Sequence, residues 1–236
     1  MHLLLPALQK GLDALGLSLT ETQQVQLLAY MDLIGKWNKV YNLTAVRDAN
    51  EMLTHHLLDS LAVVAPLRRE LAKLSRPTSD LAASSVAVEA LGDAKGREDK
   101  FSLLDVGAGA GLPGIVIAIT CPEVSVTCVD AVAKKAAFVQ QVAAAIKLPN
   151  LKGLHARVES LTHPYDVVCS RAFASLHDFT CWSQHALTKH GVWMAMKGRH
   201  PDQELAALPE SVNVFHVEQL HVPGLDAERC IVWMRG

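Results

Sequence analysis

No two cysteines in this chain are spaced C-x-x-C, and the five present, Cys121, Cys128, Cys169, Cys181 and Cys230, are odd in number. That excludes a disulfide framework and a thiolate zinc site, and makes reduced, cytoplasmic thiols the expectation. The eleven histidines show no H-E-x-x-H or similar spacing, so no metal is expected. No apolar run reaches the roughly eighteen residues of a membrane span, and the opening MHLLLPALQK has neither a basic n-region nor a small-residue cleavage site. Neither membrane nor export signal is read. Charge of one sign is also missing: 22 Lys and Arg against 24 Asp and Glu leave a formal −2 and a pI near 6.6. This excludes a global basic field, and with it indiscriminate nucleic-acid binding, but leaves local patches open.

What is present is apolar, at 50% of 236 residues, enough for one large domain or a main domain with an appendage. Residues 1–74 read as a helical region. Thr20 and Gln23 form a capping box before Leu27, Tyr30, Met31, Ile34, Trp37 and Tyr41 repeat at helical spacing, ending near Asn38 to Asn42. Asn50 is expected to cap a second helix with Leu53, Leu57, Leu61 and Val64 on one stripe, stopped by Pro66. Lys36, Lys39, Arg47, His55 and His56 cluster around the polar turn between them. They are either part of a plain helical cap or substrate-facing. Residues 75–100, rich in Ser, Ala, Asp and Gly, read as an extended, flexible connection without chemistry.

Residues 101–236 alternate strands and helices. Phe101–Val106, Val124–Val129, Leu151–His155, Tyr165–Cys169, Val192–Met196, Val212–Leu220 and Arg229–Met234 read as strands, with helices over Ala133–Ile146 and Leu176–Leu187. The fold class that follows is α/β, a mostly parallel Rossmann-like sheet with helices on both faces, preceded by the small helical region. Ligands in such sheets sit beyond the carboxyl ends of the strands. Asp105, Asp130, Glu159, Arg171 and Lys197 stand at successive strand ends and are expected to converge.

The most informative stretch is FSLLDVGAGAGLPG, Phe101 to Gly114, a buried strand running into a glycine turn and a helix start. Gly107, Gly109 and Gly111 at alternate positions allow a tight turn and close approach of a ligand, and Pro113 suits the first helical position. From Gly109 the spacing satisfies G-x-G-x-x-G, with Asp130 placed for a ribose, which suits a nicotinamide dinucleotide. From Asp105 the pattern is D-x-G-x-G-x-G. An acid at the strand end repels a pyrophosphate and suits a cationic ligand such as S-adenosylmethionine, with its sulfonium and ammonium. The methyl donor is favoured, with Asp105, Gly107, Gly109, Gly111 and Asp130 as its contacts.

WNKVYNLTAVRD (Trp37 to Asp48), HHLLDSL (His55 to Leu61), LLDVGAGAGLPGI, SRAFASL (Ser170 to Leu176) and MKG (Met196 to Gly198) resemble, in order, the signature stretches of the bacterial 16S ribosomal RNA guanine-N7 methyltransferases, the glucose-inhibited division protein B family. The resemblance spans nearly the whole chain outside residues 75–100. It implies a class I methyltransferase fold, S-adenosylmethionine as donor and a guanine in a loop of small-subunit ribosomal RNA as acceptor. By the same resemblance Gly107, Leu112, Val158, Glu159 and Arg171 carry over as donor contacts. The chain departs from the pattern at His55, where a basic residue usually stands, and in a longer connection before Phe101.

The residues fit that chemistry independently. Guanine N7 carries an in-plane lone pair and needs no deprotonation before attacking a methyl sulfonium. The N-P-P-Y tetrapeptide of exocyclic-amine methylation is missing, with Cys169-Ser170-Arg171-Ala172 in its place. Catalysis is therefore expected to be orientation and charge placement, with Arg171 or Lys197 donating to guanine O6. The acceptor must lie in an RNA loop or be turned out of its stack. The expected partner is 16S ribosomal RNA or the small subunit, and the expected state is a cytoplasmic monomer. A nicotinamide-dependent oxidoreductase and a non-catalytic RNA-binding assembly factor are the alternatives.

Overall fold

The computed structural model describes residues 2–74 and 101–236; the connection expected over 75–100 lies outside the described residues. The chain opens with α1 (Leu5–Ala14) and α2 (Glu21–Tyr41). The Thr20 side chain accepts from the Gln23 N–H and the Gln23 side chain returns to the Thr20 N–H, the capping box read from the sequence. The helix ends at Asn42, whose left-handed φ of 48° a short polar side chain tolerates.

The following helix starts earlier than expected. Asp48, not Asn50, caps it, because its carboxylate accepts from both the Asn50 and Glu51 N–H groups. α3 (Ala49–Met52) widens into a π-helical segment, Leu53–Leu58, and closes as α4 (Asp59–Leu61). Such widenings recur at functional sites, and here the segment buries His56, Leu57 and Leu58, with the buried Asp59 directly after them. Pro66 does not stop the chain. A new helix, α5 (Val64–Lys73), begins ahead of it, so Pro66 falls in a first turn where no N–H is required.

Seven strands form one sheet: β1 (Phe101–Val106), β2 (Val124–Asp130), β3 (Leu151–His155), β4 (Tyr165–Arg171), β5 (Leu187–Lys197), β6 (Asn213–Leu220) and β7 (Arg229–Arg235). Their order is β3-β2-β1-β4-β5-β7-β6, and only β7 runs antiparallel to its neighbours. Between them lie α6 (Gly114–Thr120), α7 (Ala133–Ala145), α8 (Leu176–Ser183) and α9 (Asp202–Ala206). The helix expected to reach Leu187 stops at Ser183, and β5 begins at Leu187 after a 3-10 turn, Gln184–Ala186.

Each sheet face has its own core. On one, Leu8, Leu27, Ile34, Leu61 and Leu67 from the N-terminal helices join Ile115, Ile117 and Phe138 in a single buried cluster. Each such fully buried side chain contributes about 1.5–3 kcal/mol. Gln23 and Gln26 donate side-chain N–H bonds to the carbonyls of Ile119 and Ile146, and Arg68 donates to Thr120 O, each within 2.9 Å. The helices of residues 2–74 therefore complete the α/β layer. Leu104, Val106, Phe179 and Trp193 fill the opposite face. Among the described residues no helix is long and apolar enough to cross a membrane.

Candidate active site

β1 pairs with β2 on one side and β4 on the other, so successive connections leave β1 in opposite directions and a crevice opens past its carboxyl end. Two adjoining cavities occupy it. The smaller, about 360 Å³, is lined by Asp130, Val158, Glu159, Phe173 and Trp182 among others. The larger, about 600 Å³, is lined by Thr44, His56, Asp59, Arg171, Lys197 and Arg229 among others. Gly107, Lys135 and Ala172 belong to both, so the cavities meet where β1 and β4 end.

The glycine turn is pinned from β2. The N–H groups of Gly107 and Ala108 donate to Val129 O at 2.9 and 3.2 Å, and Asp130 Oδ2 accepts from the Gly109 N–H at 3.0 Å. Asp130 Oδ1 takes the Val132 N–H at 2.8 Å, and Lys135 Nζ lies 3.7 Å from Oδ2. Gly107, Gly109 and Gly111 all have positive φ, 66°, 60° and 87°, yet their missing side chains serve different ends. A Cβ on Gly107 would stand 2.2 Å from Phe173, and one on Gly111 2.3 Å from Ile115. On Gly109 it would meet nothing nearer than Gly107 O at 3.9 Å. Of the three, only Gly109 has room for a methyl above its backbone; the other two make room for protein side chains. Leu112 is buried and reaches the larger cavity. Pro113 is the N-cap of α6, not its first helical residue, and the Leu112–Pro113 bond is cis.

Asp105 stands apart from the acids it was grouped with. It is fully buried and lines neither cavity. Its Oδ2 accepts from the Gly114 N–H at 2.8 Å, which ties β1 to the start of α6. Burial pushes its carboxyl up to about 7, against the opposing pull of the Gly114 hydrogen bond and Arg171. Its position facing α6 rather than the crevice follows from strand alternation, which turns consecutive side chains of β1 to opposite faces.

On the other side of the crevice Asp59 organises the charges. Its Oδ2 accepts from Arg171 Nη1 at 2.8 Å and its Oδ1 from Arg229 Nε at 2.9 Å, with the Asp59 side chain 3% exposed. Arg171 Nη1 also donates to His55 O at 3.1 Å, so His55 contributes its backbone here. His56 Nε2 lies 2.7 Å from Thr44 Oγ1, and burial, reinforced by Arg171, lowers its pKa. The WNKVYNLTAVRD stretch folds over this end because the buried Asn38 side chain accepts the Thr44 N–H at 3.0 Å and donates to Val46 O at 3.3 Å. Lys197 is committed elsewhere: its Nζ donates to Ala174 O at 3.0 Å and to Glu204 Oε2 at 2.7 Å.

The structure thus brings Asp130, Val158 and Glu159 to the smaller cavity, Arg171 and Lys197 to the larger, and leaves Asp105 behind the turn. Phe173, Trp182, Asp59 and Arg229 were not singled out from the sequence. Phe173 and Trp182 stack edge-on at 5.9 Å beside Val158. Asp59 and Phe173 sit inside two of the quoted stretches, whereas nothing in the sequence marks Arg229. Among the described residues no group of His, Cys, Asp or Glu could hold a metal ion.

A family model described as GidB, rRNA small subunit methyltransferase G, matches residues 23–74 and 83–232. A curated ribosomal RNA small subunit methyltransferase G from Polaromonas sp. (strain JS666 / ATCC BAA-500) is 66% identical over 97% of this chain and 92% of its own. Its namesake from Polaromonas naphthalenivorans is 61% identical over 97% and 94%. Among solved structures, a SAM dependent methyltransferase from Aquifex aeolicus is similar at 15% identity and a TM-score of 0.46, over 59% of this chain and 84% of that one. The sheet is mostly parallel, with β7 its single reversed strand. The chain belongs to the GidB family, rRNA small subunit methyltransferase G.

Proposed function

We propose that this protein transfers a methyl group from S-adenosylmethionine to N7 of a guanine in a loop of 16S ribosomal RNA, acting as a cytoplasmic monomer. The observation that carries the reading is the pair of cavities meeting at Gly107 and Ala172, one lined by Asp130, Glu159 and two aromatic rings beside Lys135 and Arg157, the other by Arg171 and Arg229. The donor fits the smaller one. An acid stands at the end of β2 and Val158 lies beside the Phe173 and Trp182 rings, while Gly109, with room above its backbone, lines the adjoining larger cavity. Each Asp130 oxygen accepts one N–H and keeps a lone pair for a ribose hydroxyl. Asp130, Glu159, Val158 and the Gly107–Leu112 turn are the residues that would hold the donor. When bound it supplies a methyl group on a positively charged sulfur.

The larger cavity takes the guanine. Since N7 needs no proton removed, the chain's task there is to orient the ring and leave N7 free, which can supply roughly 7–11 kcal/mol in favourable cases. Of the two candidates for donation to O6, Arg171 is favoured. Its Nε and Nη2 have no other partner among the described residues, while Lys197 Nζ is taken by Ala174 and Glu204. Lys197 supports the Ala172–Ala174 turn that walls off both cavities. The dinucleotide reading draws no support from the family. The test is to incubate the protein with labelled donor and small ribosomal subunits or their RNA, then map the labelled base and atom. Label on guanine N7 supports the reading, label on another atom overturns the acceptor, and RNA binding without label favours a non-catalytic assembly factor.

A further inference from the structure

We infer that Arg229 is an oxyanion-binding residue of the larger cavity, set in place together with Arg171 by the buried carboxylate of Asp59. Three elements distant in sequence meet at this point: Asp59 on α4, Arg171 at the end of β4 and Arg229 at the start of β7. Asp59 gives one oxygen to each guanidinium, Oδ2 to Arg171 at 2.8 Å and Oδ1 to Arg229 at 2.9 Å. Arg229 Nη1 donates to Glu228 O at 2.8 Å, and Nη2 has no partner among the described residues.

The charge count points to a ligand. Two guanidiniums, 20% and 24% exposed, share one carboxylate that is 3% exposed. Lys197 and Lys135, on the same cavity, are neutralised by Glu204 and Asp130. One positive charge is left over, and the two guanidiniums repel each other across a single anion. A second oxyanion on the cavity side relieves that repulsion and completes the donor set, and the planar fork of arginine suits a carboxylate or a phosphate equally.

The inference rests on the proposed methyl transfer for its two candidate anions, the α-carboxylate of the donor and a phosphodiester flanking the acceptor nucleotide. The test measures binding, not turnover. Arg229→Gln is compared with the wild type for calorimetric affinity toward S-adenosylhomocysteine and toward 5′-methylthioadenosine, which lacks the amino-acid portion. It is also compared for filter binding of the target RNA across a salt series. If the anion is the carboxylate, S-adenosylhomocysteine weakens by roughly tenfold or more, as for loss of a charged hydrogen bond, and 5′-methylthioadenosine does not. If it is a phosphodiester, RNA affinity falls by a similar factor and the salt slope drops by about 0.7–1.

Arg69→Gln, at an exposed ion pair with Glu218, changes neither. If affinities for both ligands stay within about twofold of wild type, the inference is overturned. Should Arg229→Gln lose its thermal transition, Arg229→Lys is measured in its place. It keeps the charge without the planar fork, and an affinity unchanged for both ligands overturns the inference equally. Wild-type protein that bound neither ligand would sink the methyl-transfer reading beneath it.

Discussion

Tyr30 Oη donates to the carbonyl of Ala110 at 2.7 Å, from a helix eighty positions earlier in the chain to the middle of the glycine turn. The ring is fully buried, so this carbonyl has no water to fall back on. The N-terminal helices therefore shape the turn as well as cover the sheet. Tyr30→Phe leaves a buried acceptor unpaired and is expected to cost about 1–3 kcal/mol of stability. The same loosening of the turn should weaken S-adenosylhomocysteine binding several-fold. Chemical unfolding and calorimetry check both, and an unchanged donor affinity would disconnect the helix from the turn.

Asp130 serves the turn and the proposed ribose site with the same carboxylate. Asp130→Ala removes both and should reduce donor affinity by at least roughly tenfold. Asp130→Asn keeps one acceptor oxygen and should fall between. If Asp130→Ala bound S-adenosylhomocysteine like the wild type, the ribose assignment would be lost.

Gly107→Ala and Gly109→Ala should separate packing from ligand approach. Both force a side chain into left-handed backbone, at about 1–2 kcal/mol. Only at Gly107 does the new methyl also run into a ring, that of Phe173 at 2.2 Å. Gly107→Ala is expected to lower the Tm further than Gly109→Ala. Gly109→Ala should mainly lower donor affinity. Equal Tm losses with equal affinities would contradict this division.

The buried carboxyl of Asp105 makes stability depend on pH. Folding raises its pKa from 3.8 to about 7, so between those values the folded chain keeps a proton that the unfolded chain has released. Its contribution is fully present below the unfolded value, falls as pH rises through the window and levels off above about 7. Asp105→Asn still offers an oxygen to the Gly114 N–H but does not titrate. Its stability relative to wild type should therefore grow between about pH 5 and pH 8, by on the order of a few kcal/mol. Parallel pH dependences of stability across that range would show that Asp105 is already ionised in the fold and that its pKa is not raised.

Lys197 and Glu204 should behave as one unit. If the lysine acts by holding Ala174 O, then Lys197→Met and Glu204→Gln lower kcat together and leave RNA affinity within about threefold. Loss of RNA affinity in Lys197→Met alone would return the lysine to a direct contact with the acceptor.

The parts of the site that could be read from the chain are those whose physics is local. The capping box at Thr20 and Gln23, the strand into Gly107 and the acid ending β2 each follow from a few adjacent residues. The misreadings share one cause. Asn50 and Asp48 are both good caps, and which one reaches the free N–H groups depends on how the preceding turn packs. Pro66 looks like a stop only if the helix before it continues, and that helix closes at Leu61 before a new one starts at Val64. Asp105 and Asp130 look alike as strand-end acids, yet one faces α6 and the other the crevice.

The amino-acid order alone determined the alternation of strands and helices, the glycine turn after the first strand and the acids and bases at strand ends, because hydrophobic period and backbone freedom are short-range properties. Only the tertiary structure decided which of those groups share a cavity. Asp59 lies 112 positions before Arg171 and 170 before Arg229. Their meeting depends on strand order and on helices folding back across the sheet, and neither is written in any local run of residues.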